Sequence, residues 1–176
     1  MKNNLTYVEL NQQLSDPNNP LFGGSLAYIE IELALRMMVN LLYIKLKKPS
    51  KQSRSYEKMI TICNLVASQS NEMIEKDGQI FAELRKAKNG REKDKIIDDL
   101  FPKSRAFLEN INMINMYLEE MISLTNTSIK FDYIMINNTL IACYSNLVHI
   151  LGYEVNKHSV EKTKKDYLSI VEKLYK

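Results

Sequence analysis

Residues 23–49 read GGSLAYIEIELALRMMVNLLYIKLKKP, and the fold class turns on them. Two glycines and Ser25 precede more than twenty residues without a breaker, and Pro49 closes the run. A serine directly before an apolar stretch is a helix-start signal, and a proline after it is a stop. The run is apolar around most of its circumference, which marks a central or interface helix rather than a surface one. Its near-membrane length is countered by Glu30, Glu32 and Arg36 within residues 26–46, each costing about 2.5–3.5 kcal/mol at a bilayer centre.

Other segments repeat the helical pattern. Residues 5–14 are amphipathic, and 15–20 form a loop rich in Asp, Asn and Pro. After a polar break at 49–54 a helix is expected to about Lys88, and Asn89-Gly90 reads as its stop. Residues 91–99 are charged and lead to Leu100-Phe101-Pro102. A helix from about Lys103 to Ser123 follows, then one over about 130–151 that Gly152 ends, then a final amphipathic helix. Only 5 glycines and 4 prolines occur in 176 residues, too few turn formers for an all-β fold. The expectation is an all-α, antiparallel bundle of five to six helices forming one domain over 1–176. One bundle this small seldom covers every side of the first long helix, so a homodimer is expected to bury the rest.

Composition narrows the function. The net charge is +3, from 24 basic and 21 acidic residues without a basic block, so no nucleic-acid partner is implied. Two isolated cysteines, Cys63 and Cys143, read as reduced core residues rather than a disulfide framework. The polar residues 1–5 hold no signal core, so the expected setting is cytoplasmic, with no membrane partner. His149 and His158 are nine apart without a Glu-x-x-His pair, and no metal site is expected.

Two places invite chemistry. Asp77 falls within about 20° of Val66, Ser70 and Leu84 on the helical wheel, on the core-facing stripe. A carboxylate there must be paired, hydrogen-bonded or protonated. It is either a structural acid bonded to a neighbouring helix or a general acid–base. The second place is the face Asp132, Met135, Thr139, Ala142, Asn146 and His149, small and polar opposite an apolar stripe. It can line a ligand cleft or form a wetter helix interface. Asp132 also suits the dipole at a helix start, and His149 has an ordinary reading as a satisfied helix residue. His158, among lysines, reads as surface. Gly23-Gly24-Ser25 allows close approach of a ligand or backbone and offers free N–H groups to an anion.

These features together resemble the formiminotransferase-cyclodeaminase family, specifically its small helical cyclodeaminase and methenyltetrahydrofolate cyclohydrolase members. The resemblance lies in Pro20-Leu21-Phe22-Gly23-Gly24-Ser25, then Met38-Val39-Asn40-Leu41 with Lys45. Ile74-Glu75-Lys76-Asp77-Gly78-Gln79-Ile80-Phe81 follows, then Asp132 and Asn146-Leu147-Val148-His149-Ile150. It spans most of the chain in order and spacing. Phe22 replaces a family glycine, Ile150 an asparagine, and Tyr28, Glu30, Ile31 and Glu32 interrupt a small-residue run. The resemblance implies a helical dimer acting on a tetrahydrofolate derivative as substrate, with no tightly bound cofactor. The implied reaction is either loss of ammonia from a formimino group or hydrolysis of a methenyl bridge. Asp77 would handle the proton. Gly23, Gly24 and Ser25 with Asp132, Asn146 and His149 would hold the substrate, and Lys45 would pair with an anionic part of it. A diverged, non-catalytic member that binds a ligand or a protein is the alternative.

Overall fold

A computed structural model of the chain describes residues 23–158 and 161–174, and the segments expected at 5–14 and 15–20 lie outside them. Five helices make up the described part: α1 (Gly23–Leu46), α2 (Ser53–Lys86), α3 (Gly90–Leu124), α4 (Ile129–His158) and α5 (Glu161–Leu174). No strand occurs among the described residues. α1 packs along α2 and α4, α4 also packs on α3 and α5, and α2 meets α3.

The helical period explains this packing. Ile31, Leu35, Met38 and Leu42, spaced four, three and four apart, are fully buried on α1. They join Cys63 and Val66 of α2, Ile111, Ile114 and Leu118 of α3, and Tyr133, Leu140 and Val148 of α4 in one core. A second stripe of α1 remains outside it. Leu26, Leu33 and Ile44 are exposed, with Met37 half-buried between them, and all four fall within about 40° of one another.

Three expected boundaries move, each for a physical reason. Asn89 begins a helix instead of ending one. Its side chain accepts from the Glu92 N–H at 3.0 Å, while Glu92 accepts from the Asn89 side chain and from the Lys88 N–H. This is a reciprocal cap, and no glycine adopts positive φ among the described residues.

Pro102 lies inside α3, which runs unbroken through the expected gap. A proline there forfeits one backbone hydrogen bond. α5 braces the turn just before it: Tyr167 stacks on Phe101 at 4.1 Å and donates its hydroxyl to Asp98.

Gly152 does not end α4. The helix continues to His158, and a Cβ at Gly152 would meet Val171 at 3.4 Å. That is an ordinary contact distance, so Gly152 simply lies within α4 where α5 packs on it.

α4 is also long and apolar enough to cross a membrane by length and composition alone, with 39% of its most apolar window buried. Its apolarity has a local use, since it contacts α1, α3 and α5. Both cysteines are buried and free. Burial, with Glu30 adding to it at Cys143, pushes both thiols up to about 12, which makes them poor nucleophiles.

Candidate functional site

The first turn of a helix leaves its N–H groups without intrahelical acceptors. In α1 a residue 52 positions away supplies one. The Asp77 carboxylate accepts from the Ser25 N–H at 3.0 Å and from the Ser25 hydroxyl at 2.9 Å, both through Oδ2. Ser25 was expected as the cap of α1; it sits instead inside the first turn, and Asp77 of α2 acts as the acceptor. The charge also suits the positive end of the helix dipole.

Gly24 makes this approach possible. A Cβ there would stand 2.7 Å from Asp77 Oδ1 and 2.9 Å from Oδ2. The glycine, the serine and the acid are thus one interlocked unit.

That unit borders a cavity of about 240 Å³ between α1, α2, α3 and α4. Apolar side chains form most of the wall, among them Met73, Phe81, Leu84, Leu108, Leu147 and Leu151. The polar groups are Asp77, Tyr28, Ser104 and Glu154, and among the described residues no Lys, Arg or His lines the cavity. Tyr28 packs edge-on against Phe107 at 5.4 Å between centroids. Burial, with the Asp77 charge adding to it, raises its hydroxyl well above the usual tyrosine range.

Glu154 was not singled out by the sequence. Burial raises its carboxyl above the usual range; Lys157 opposes that shift and Asp77 adds to it. Its Oε2 is enclosed and receives no aligned hydrogen bond, although His158 Nε2 stands 3.2 Å from it. Burial lowers the His158 pKa, helped by Lys93 and Lys157, so a neutral ring faces the acid near pH 7. His158, expected on the surface, is largely covered. The signal for Glu154 lay in its spacing: 147, 150, 151 and 154 form one helical stripe. Ending the helix at Gly152 hid it.

The other expected residues divide. Gly23 opens α1 beside Gly24. Lys45 is in the last turn of α1, 21 residues and about 30 Å of helix from Gly24. Asp132 is in the first turn of α4, at a similar distance from Glu154. A single chain therefore does not bring Lys45 or Asp132 to the cavity. Asn146 and His149 are exposed on α4, where Leu147, Ile150, Leu151 and Glu154 line the cavity instead. Met135, Thr139 and Ala142 of the polar face border a separate, open groove against Glu30, Leu33, Ala34 and Met37 of α1.

Among the described residues no cluster of His, Cys, Asp or Glu is suited to hold a metal ion. No protein-family model, no curated protein and no solved structure matches the chain.

Proposed function

We propose that the protein is a folate-dependent one-carbon enzyme of the methenyltetrahydrofolate cyclohydrolase or formiminotetrahydrofolate cyclodeaminase type, built as a cyclodeaminase-like antiparallel bundle. One observation carries the reading. The two sequence motifs behind the family resemblance, Gly23-Gly24-Ser25 and the segment containing Asp77, meet in direct contact at the mouth of a cavity.

The chemistry follows from the arrangement. A methenyl bridge carries positive charge spread over an N–C–N unit. An apolar, carboxylate-bearing cavity stabilises such a charge better than water-filled surroundings do. In the hydrolytic reaction water adds to the bridge carbon and loses a proton, and one C–N bond then breaks as its nitrogen gains a proton. In the alternative reaction the secondary amine beside the ring attacks the formimino carbon and loses its proton, and the formimino nitrogen gains a proton and leaves as ammonia. Asp77 is the group placed to take and return that proton. Ser25 occupies Oδ2 and fixes the carboxylate, leaving Oδ1 for the transfer.

The dimer belongs to the same proposal. The stripe of exposed Leu26, Leu33 and Ile44, with half-buried Met37, on α1 adjoins the groove bordered by Met135, Thr139 and Ala142 of α4. The small Ala34, Thr139 and Ala142 allow helices of a second copy to come close. Lys45 and Asp132 reach the same substrate only if that copy supplies them. The setting we propose is cytoplasmic.

The test is the decay of methenyltetrahydrofolate absorbance with and without protein, paired with ammonia release from the formimino compound. Asp77→Asn should lower turnover by at least 10²-fold, the lower end of general acid–base contributions. Full activity in that variant would remove Asp77 from the chemistry.

A second reading, a ligand-binding bundle without turnover, has its own support. The Asp77–Ser25 bonds alone account for a half-buried acid at a helix start. Saturable folate binding with no change in absorbance decay would favour it.

A further inference from the structure

The outer face of α1 carries a regular spacing. Leu26, Glu30, Leu33, Met37, Asn40 and Ile44 follow one another at intervals of four, three, four, three and four residues. All six fall within about 80° of the helix circumference. Met37 is half-buried and the other five are exposed. Alternation of this kind keeps one narrow seam in line along a helix, as between two helices that pack side by side.

The order is also palindromic. Counted from Leu35, Leu26 and Ile44 lie nine residues to either side, Glu30 and Asn40 five, and Leu33 and Met37 two. A second α1 running the opposite way, related by a two-fold axis level with residue 35, sets Leu26 against the partner's Ile44 and Leu33 against the partner's Met37. It also sets Glu30 against the partner's Asn40, and each contact occurs twice. A copy running the same way would set Glu30 against the partner's Glu30, a like-charge pair that costs affinity.

The groove beside the seam suits this arrangement. Ala34 of α1 and Ala142 of α4 border it and leave room for a neighbouring helix. Glu30 stands at its edge, where Oε2 accepts from the Cys143 thiol at 3.2 Å. The Asn40 amide offers a donor to that carboxylate across the seam.

We propose that α1 pairs antiparallel with α1 of a second copy about an axis level with residue 35, and that Glu30 and the partner's Asn40 fix the register. The inference rests on the dimer reading and supplies its geometry. A polar residue in an apolar seam selects the alignment that satisfies it. Sliding the copies by one heptad sets Glu30 against Leu33 or Asn40 against Met37, and the polar group then loses its match.

The experiment is disulfide mapping of the full chain carrying Leu26→Cys and Ile44→Cys together. The two positions are 18 residues apart, about 27 Å along the helix. A disulfide needs Cα atoms within about 7 Å, so none joins them within one copy. The native thiols are buried, and both substituted positions are exposed. Mild oxidation should give a covalent dimer. Trypsin, which cuts after Arg36 between the two positions, should then release peptides joined 26 to 44. Peptides joined 26 to 26 and 44 to 44, or a dimer that forms no 26-to-44 link, overturn this inference alone. Asn40→Asp should weaken the dimer at least ten-fold, read by light scattering on dilution, and Glu30→Gln should restore it. Equal weakening in the Glu30→Gln background overturns the polar pair. A wild type that is monomeric at micromolar concentration overturns both this register and the dimer beneath it, and leaves the seam to a helix of another protein.

Discussion

Gly24→Ala tests the interlock between α1 and α2 most directly. On helix propensity alone the change should help, since alanine is favoured over glycine by up to about 1 kcal/mol in a helix interior and by less in a first turn. The structure predicts the opposite sign. The new Cβ would lie 2.7 Å from Asp77 Oδ1, 2.9 Å from Oδ2 and 3.0 Å from Cγ. The carboxylate must therefore move as a whole, and both Ser25 bonds, at 3.0 and 2.9 Å, are lost.

Hydrogen bonds to charged groups contribute about 1.5–3 kcal/mol each. This pair is only partly buried and the released groups regain water, so the lower end applies, about 3 kcal/mol for both. Subtracting at most about 1 kcal/mol of propensity leaves a net loss of about 2 kcal/mol. For a chain of this size that is a fall of about 4–8 °C in Tm. The assay is thermal unfolding followed by circular dichroism, with Gly24→Ala measured in the wild type and in Asp77→Ala. In the second background nothing stands against the new methyl group, and the substitution should be neutral or stabilising. Destabilisation of the same size in both backgrounds would refute the reasoning, because the clash would then not be with Asp77.

The apolar stripe of α1 and the groove beside it predict that Leu33→Glu with Met135→Glu yields a monomer from a dimeric wild type, read by light scattering, with helix content unchanged. A wild type that is monomeric at micromolar concentration refutes the proposed interface. Glu154 has a folded-state pKa raised above its unfolded value, so its contribution favours the fold fully below about pH 4.5 and is lost as pH rises through the folded pKa. Glu154→Gln should therefore match the wild type at pH 4 and exceed it in Tm at pH 8. Asp77, Lys157 and His158 remain in both proteins, so the difference between the two curves isolates Glu154. Pro102→Ala restores the backbone donor missing from α3 and should raise Tm, since an interior proline costs about 3 kcal/mol; a fall would show that the stacking of Tyr167 on Phe101 requires the proline geometry.

Helical periodicity was readable in this chain because period and burial agree along most of it. Ile31, Leu35, Met38 and Leu42 announce a core face by spacing alone, and the structure buries all four. Punctuation was harder. Pro102, Gly152 and Asn89-Gly90 are each ambiguous locally, and tertiary contacts decide what they do. Tyr167 braces α3 in the turn just before Pro102, and Val171 of α5 packs beside Gly152. Asn89 caps forward because Glu92 stands three residues on. A reading of one segment at a time has no access to the first two partners and can see the third.

The site shows the same division more sharply. The wheel position of Asp77 signalled a carboxylate turned inward, and the structure supplies the reason it is tolerated, a helix start 52 residues earlier in sequence. That partner was in view as Gly23-Gly24-Ser25, but nothing in one sequence joins the two segments except the resemblance. Glu154 obeys the same rule as Asp77, but it lies beyond Gly152, which read locally is a helix stop. The boundary at Gly152 thus concealed a largely covered acid as well as about two turns of helix. Where a helix of this molecule outruns its apparent stop signal, the residues beyond that signal that continue its core stripe turn inward. Applied to α4, the rule selects Val155 and His158 after Glu154, and both lie turned away from solvent, Val155 fully and His158 largely.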